Sequence, residues 1–587
     1  MKKTLALLLA LVMIFGLFAC AGPETAQTET PEGGETAAAA DPNASQFSQL
    51  CADDSYHGEL PLAKEGENNV LTIGLVVSPN VLDYDDNALT KWVEEQTGID
   101  IQFVQFAGTS SDAATQISLM MASGEKLPDI LLQFGGIKKT QGEIYGMDGY
   151  FADILPILQQ YGYYTKEAYN RMFGDKAELL YNAMISRGTS GTGGALYAWP
   201  QLTEHPIDTA RTYTWINQRW LDTVGKEVPT TIDELYDVLV AFRDGDPNGN
   251  GKKDELPMLG CTNSASSNDI MQYIINGFIY NNDSYYFKID DSVLSTPYLT
   301  DEYRQALIYA KKLTDEGLFS PMSWTVDAKE VKALLNPADG VYTVGVITDR
   351  TTSDFEIDNR ALWDYTPLPP LKDATGSGAG GYGCMLSYNM NYQTYITEDC
   401  ENKELAVKFL DFMNSEEAAL RMYYGEKDVD WVFSDGTKTG DNGEPAKLNV
   451  MNLNVGDVPG KTYWANTCCT FSTWYYNYEV DFDDLENFNN QRALQLLRTY
   501  QNYKAAGQPE QVFIYTEYNE EETDWRDQNY MDIADYMKQS RSEFVTGLRD
   551  PADDAQWQEY VDNMHKLGYD KWVEIAQTSW DRTKPPF

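Results

Sequence analysis

Val70-Leu71-Thr72-Ile73-Gly74-Leu75-Val76-Val77 is an apolar run rich in β-branched side chains, and it reads as a buried strand. Asp86 to Gly98 follows as a helix, with Leu89, Trp92 and Val93 on one face and Gly98 ending it. Ile99 to Phe106 is the next strand, Ala113 to Ser123 the next helix, and Pro128-Asp129-Ile130-Leu131-Leu132 the third strand. Strand, helix, strand, helix, strand implies parallel pairing through crossover helices, so the class is α/β. The alternation returns further along. Thr231 opens a helix to about Arg243, where Thr231 and Glu234 have the spacing of a capping box. Asp301 to Gly317 is helical, and Gly340 to Val346 is strand-like. Residues 372–383 are a Gly-rich crossing segment or turn, and Glu401 to Ser415 is a strong amphipathic helix. Two tail helices are expected at Ala555 to Leu567 and Tyr569 to Ser579.

The start of the chain has a different character. Lys2 and Lys3 precede an apolar or small run from Leu5 to Ala19 that stops at Cys20. A charged start, a short apolar core and a small residue before the cut describe a secretory signal, residues 1–19. The run is too short for a membrane-spanning helix, which needs ~20 residues. Leu17-Phe18-Ala19-Cys20 resembles a bacterial lipobox, which implies cleavage before Cys20 and lipid on its thiol; an ordinary signal peptide beside an incidental cysteine is the alternative. Residues 20–50 follow as a linker, and up to residue 46 they hold almost no large apolar side chain, which suits a disordered tether.

The chain has 587 residues, more than one ordinary core needs, so at least two lobes are expected. Its net charge is −46. A surface that acidic repels nucleic acid and anionic membrane, and it disfavours anionic ligands unless cations mask the site. The seven cysteines include Cys20 and the adjacent pair Cys468-Cys469, but no zinc-type spacing. The three histidines, His57, His205 and His565, leave little material for His-ligated zinc or a Ser-His-Asp triad.

The sharpest internal motif is Asp246-Pro247-Asn248-Gly249-Asn250-Gly251-Lys252-Lys253-Asp254-Glu255. Oxygen donors recur at alternate positions around a glycine, the pattern by which a tight loop surrounds a hard cation such as Ca²⁺. The ligands would be Asp246, Asn248, Asn250, the Lys252 carbonyl, Asp254 and Glu255. The loop departs from the EF-hand, because position 12 is Pro257. A solvated Asn-Gly turn is the competing reading.

Aromatic residues are abundant, with 13 Trp, 39 Tyr and 22 Phe. Sugars present flat C–H faces and a hydroxyl rim, which aromatic platforms and polar side chains match together. Dense clusters stand at Tyr197-Ala198-Trp199, Tyr213-Thr214-Trp215-Ile216 and Trp474 to Tyr478. No nucleophile elbow, P-loop or Gly-x-Gly-x-x-Gly follows a predicted strand, and no catalytic residue is assigned.

Several stretches together carry a family resemblance. They are Trp92 to Ile99, Met120 to Ile130, Trp220 to Gly225, Val228 to Leu235, the 246–255 loop, Val407 to Phe412, Tyr424 to Trp431 and Trp557 to Val561. Over about Val70 to Asp581 the chain resembles the lipoprotein-type extracellular solute-binding proteins (family one) that serve ABC sugar importers, and within them the alginate- and oligosaccharide-binding branch.

The resemblance implies a two-lobed class II periplasmic-binding-protein fold with the ligand between lobes, here 69–205 plus 372–425 and 206–371 plus 426–587. It implies a structural Ca²⁺ on the loop residues named above. It also implies ligand contacts at Gln133 and Phe134 after the third strand, at Trp199 near the first crossing and at Trp431; Trp474 and Tyr475 are added from the aromatic cluster. The expected role is an anchored, non-enzymatic, monomeric carbohydrate receptor on the outer face of the cell membrane. Its partners would be a carbohydrate and ABC permease subunits, with no nucleic acid. A Ca²⁺-stabilised polysaccharide-degrading enzyme, a glycan-capture or adhesion protein, and a peptide cargo are the alternatives.

Overall fold

The computed structural model describes residues 45–583 except 53, 55, 65, 67, 190, 205–212, 262–268, 281–285, 349–354, 356–359, 373–387, 453–458, 465–469, 471–475, 507–512 and 514–517. Cys20, Trp474 and Tyr475 therefore lie outside the described residues, as do His205 and most of the Gly-rich crossing.

The opening alternation forms as the periodicity predicts. β1 (Val70–Val76), α1 (Ala88–Thr97), β2 (Asp100–Phe106), α2 (Ser110–Ser123) and β3 (Ile130–Leu131) follow in order. Asn87 caps α1 by accepting from the Leu89 N–H, and Gly98 ends it in the left-handed region at φ 70°, which a residue without Cβ adopts freely. α2 begins three residues earlier than its apolar pattern, because Thr109 and Asp112 form a capping box. β1 pairs in parallel with both β2 and β3. Asp129 ties the two inner strands together: its carboxylate accepts from the N–H and the hydroxyl of Thr72, at 2.8 and 2.7 Å.

β4 (Gln201–Glu204) leaves this sheet, and β5 (Thr214–Asn217) begins another. β6 (Leu256–Leu259) follows, then the hairpin β7 (Lys288–Asp290) and β8 (Val293–Ser295), then β9 (Val344–Thr348) and β10 (Tyr365–Pro367). β11 (Tyr388–Asn391) runs antiparallel to β4, so the outward and return segments are bonded side by side. β12 (Tyr395–Ile396) then adds to the first sheet, antiparallel to β3. The two four-stranded orders are β12-β3-β1-β2 and β10-β5-β9-β6. A last pair, β13 (Trp431–Phe433) and β14 (Leu448–Val450), stands apart from both.

The apolar cores follow this nesting. One cluster gathers side chains from Leu50 to Leu202, from Ile396 to Met422, and Trp464. Another gathers Ile216 to Leu371 with Phe513 to Trp580. Two details depart from the expected segments. Residues 45–50 were expected in the tether, but Leu50 is fully buried and the Cys51 N–H donates to the Gln159 carbonyl at 2.8 Å. Phe47 and Leu50 supply apolar area, so this end of the expected linker packs into the first core. Trp464 falls in the range expected for the second lobe, yet its indole donates to Thr90 Oγ1 of α1 at 2.8 Å inside the first core.

The capping at Thr231 also differs in detail. Thr231 accepts from the Glu234 N–H, but the Glu234 carboxylate reaches back to Thr230, accepting from its N–H and hydroxyl at 2.8 Å each. Cys51, Cys261 and Cys400 are buried. Among the described residues, no helix is long and apolar enough to cross a membrane.

Candidate functional site

In parallel α/β sheets, ligands sit outside the carboxyl ends of the strands. At that end of β3 the backbone turns abruptly. Gln133 has φ 57°, in the left-handed region where a non-glycine residue is strained by roughly 1–2 kcal/mol. Three residues on, Gly136 lies so close to the first turn of α2 that a Cβ there would stand 2.0 Å from the Ser110 carbonyl. Only glycine lets this loop press against that helix end.

Side chains and backbone from four segments hold the turn. The Gln133 N–H donates to Thr394 Oγ1 at 3.1 Å, and the Phe134 N–H donates to the Gln393 carbonyl at 2.7 Å. The Gln133 carboxamide donates to Gln201 Oε1 at 2.8 Å. Gln201, on the outward crossing strand β4, donates in turn to the Thr470 carbonyl at 2.8 Å. The Trp199 N–H donates to the Thr394 carbonyl at 2.8 Å. Gln201, Thr394 and Thr470 are all buried, and Gln133 is half-buried. The carboxyl end of β3, the outward crossing strand, Thr394 beyond the return strand and Thr470 thus meet in one polar network.

The expected aromatic contacts sit elsewhere. Phe134 is fully buried and meets Phe106 edge-on, with centroids 5.3 Å apart. Trp199 packs in the first core at 1 % exposure. Trp431 is fully buried in a small cluster with Leu420, Leu448 and Tyr476, and its indole donates to the Gly425 carbonyl at 3.0 Å. Trp215, from another aromatic cluster, is also fully buried. These rings present no open face in this structure. Of the described candidates, Gln133 alone brings its side chain to the network, while Phe134 and Trp199 join it through backbone N–H groups; Gln201, Gln393, Thr394 and Thr470 carried no motif in the sequence.

The 246–255 loop joins the helix Ile232–Asp244 to β6. The Gly251 N–H donates to the Asp246 carboxylate, at 3.1 Å to the nearer oxygen. The Asn250 N–H donates to Asn248 Oδ1 at 3.0 Å, and the Lys252 N–H to Asn250 Oδ1 at 2.7 Å. The amides of Asn248 and Asn250 donate to Asp254 at 2.9 and 3.0 Å, which holds the Asp254 carboxyl below its ordinary range. Glu255 is pushed the other way, by burial first and then by repulsion from Asp254 and Asp246. Its Oε1 is buried with no hydrogen-bond partner. Among the described residues, no group of three or more His, Cys, Asp or Glu is arranged to hold a metal. The asparagine amides fill the centre of the loop instead. The donor set nevertheless fits a hard cation: it is all oxygen, it is anionic, and one carboxylate oxygen lacks a partner.

Residues 79–420 match the family model described as bacterial extracellular solute-binding protein. The chain belongs to that family. Among curated relatives, it is 22% identical over 532 residues to the fructooligosaccharide ABC transporter substrate-binding protein FusA of Streptococcus pneumoniae, covering 89% of this chain and 91% of FusA. It is 26% identical over 396 residues to the lipoprotein LipO of Bacillus subtilis, covering 65% of this chain and 72% of LipO. The solved structures of solute-binding proteins share its fold. One from Bifidobacterium longum subsp. infantis superposes with a TM-score of 0.69 at 20% identity, covering 89% of this chain and 99% of that one. FusA in complex with kestose gives 0.62 at 20% identity, covering 87% and 99%, and an EF-hand mutant of FusA with fructo-nystose gives 0.62 at 19% identity over the same shares.

Proposed function

We propose that this solute-binding protein captures an oligosaccharide outside the cell and hands it to the permease of an ABC importer, without covalent chemistry. The observation that carries the reading is the polar network at the carboxyl end of β3. It joins a strained loop residue, Gln133, to Gln201 on the outward crossing strand and to Thr394 beyond the return strand, where a ligand could reach the half-buried Gln133. A sugar bridging residues 69–205 plus 372–425 and residues 206–371 plus 426–587 would stabilise a closed arrangement, because it contacts both walls only there. The family and the oligosaccharide-binding relative FusA support the cargo class. Lipid on Cys20 would keep the receptor beside its permease, a reading supported by the lipobox-like Leu17 to Cys20 and by the lipoprotein relative LipO.

Ca²⁺ is proposed for the 246–255 loop, held by Asp246, Asn248, Asn250, Lys252 through its carbonyl, Asp254 and Glu255. When bound, the ion supplies charge neutralisation and crosslinks the loop. The chain's own part is to bring Asp246 and Asp254 to one loop and to keep Glu255 Oε1 without a competing donor. The EF-hand mutant of FusA is consistent with such a loop in a relative.

A glycan array followed by titration calorimetry tests the cargo, with the same sugars then examined for cleavage. Saturable binding with intact sugar is expected. Release of new reducing ends would overturn the receptor reading in favour of an enzyme. Failure to bind any saccharide would remove the cargo class.

A further inference from the structure

We propose that Gln201 is a positioning residue for ligand binding: buried on the outward crossing strand, it aims the carboxamide of Gln133 and couples it to the Thr470 carbonyl. The inference rests on the reading of Gln133 as a saccharide contact. Gln201 is 8 % exposed, and its carboxamide is engaged at both ends, accepting from Gln133 and donating to the Thr470 carbonyl. It is therefore poorly placed to touch a sugar itself. Gln133, in contrast, is half-buried on a backbone held at φ 57°.

A glutamine side chain loses much of its rotamer freedom on being fixed. If another residue has already fixed it, a ligand need not, and affinity rises by preorganisation. Three different parts of the chain cooperate in this. Thr394 fixes the Gln133 backbone, Gln201 fixes its side chain, and Thr470 fixes Gln201. Because β4 is one of the strands that cross between the two cores, movement of that strand displaces Gln201 and with it the carboxamide of Gln133.

The test compares Gln201→Met, Gln133→Ala and the double variant. Each is titrated calorimetrically against fructo- and galacturono-oligosaccharides, and each is followed by NMR of glutamine-labelled side-chain amides. Gln201→Met removes both bonds at similar volume. It is expected to lower affinity at least ~10-fold, as Gln133→Ala does, with the double variant no weaker than the weaker single, since coupled residues are non-additive. The Gln133 carboxamide signal should shift away from its wild-type position. Wild-type affinity in Gln201→Met, or losses that multiply, would overturn the proposal. Should Gln201→Met fail to fold, hydrogen exchange at the wild-type Gln133 carboxamide decides: protection supports the proposal and free-glutamine exchange overturns it. If the wild type binds no saccharide, the cargo reading fails on its own, while the NMR signal still decides whether Gln201 fixes Gln133.

Discussion

The 246–255 loop and the network around Gln133 are built from similar chemistry, small amides, hydroxyls and carboxylates, but from very different lengths of chain. The bonds within the loop span few residues, six between Asn248 and Asp254 and five between Asp246 and Gly251. The network's bonds span 261 residues between Gln133 and Thr394 and 269 between Gln201 and Thr470. A local site can be read from spacing, because the turn that assembles it is written in the same ten residues. A distant one depends on where the crossing strands lie, and spacing carries no trace of that.

The contrast can be broken most forcefully through its tryptophans. If Trp199 and Trp431 are core rather than ligand platforms, each change to Ala should cost about 3–5 kcal/mol of stability, read by chemical denaturation. Folded protein that remains should keep its sugar affinity. A large affinity loss at unchanged stability would return these rings to the binding site.

The loop offers the next largest effect. At a hundred times its dissociation constant, Ca²⁺ should stabilise the fold by about 2.7 kcal/mol, lost on chelation and absent in Asp254→Ala. Identical calorimetric transitions with Ca²⁺ and with chelator would leave the loop a plain turn. Sugar affinity should be unaffected by Asp254→Ala, which separates the local site from the distant one.

A smaller effect is expected at Gln133. Its change to Ala should weaken sugar binding by roughly 10- to 30-fold, or about 1.4–2 kcal/mol, with little change in melting temperature. Unaltered calorimetric affinity would show that the network supports the fold only.

The smallest effect is in pH. Burial and its acidic neighbours raise the Glu255 carboxyl in the folded metal-free protein. Glu255 therefore contributes stability that is present below its unfolded value and is lost as pH rises through the folded one. Ca²⁺ requires the deprotonated form, so the Ca²⁺-induced shift in melting temperature should be larger at pH 7 than at pH 5. Glu255→Gln should flatten the metal-free pH dependence; a steeper profile in that variant would contradict the sign.

Much of the fold was legible for the reason the loop was. Leu89 and Val93 lie on the buried face of α1 as their spacing requires, and Gly98 ends it. Thr231 caps its helix. Boundaries slipped where a cap extended the element beyond its apolar pattern, as Thr109 and Asp112 do for α2. The site was less legible. Gln133, Phe134, Trp199 and Trp431 were all reached through family pattern, and the three aromatic ones prove to be rings that core packing also selects. Trp464 could not be assigned to the first core from sequence, because its partner Thr90 lies 374 residues away.

The nesting of one sheet inside the chain path of the other also sets an order of assembly. The inner sheet is complete once β10 has formed, using pairings among residues 214–367. The outer sheet gains its edge strand β12 only after the return crossing, when Thr397 Oγ1 donates to the Pro128 carbonyl across 269 residues. Closing so long a loop is entropically unfavourable and slow when the intervening chain is unstructured, and faster when it has already compacted. The pairings of the inner sheet can therefore form before β12 is made, but its core is closed only when Phe513 to Trp580 arrive at the end of the chain.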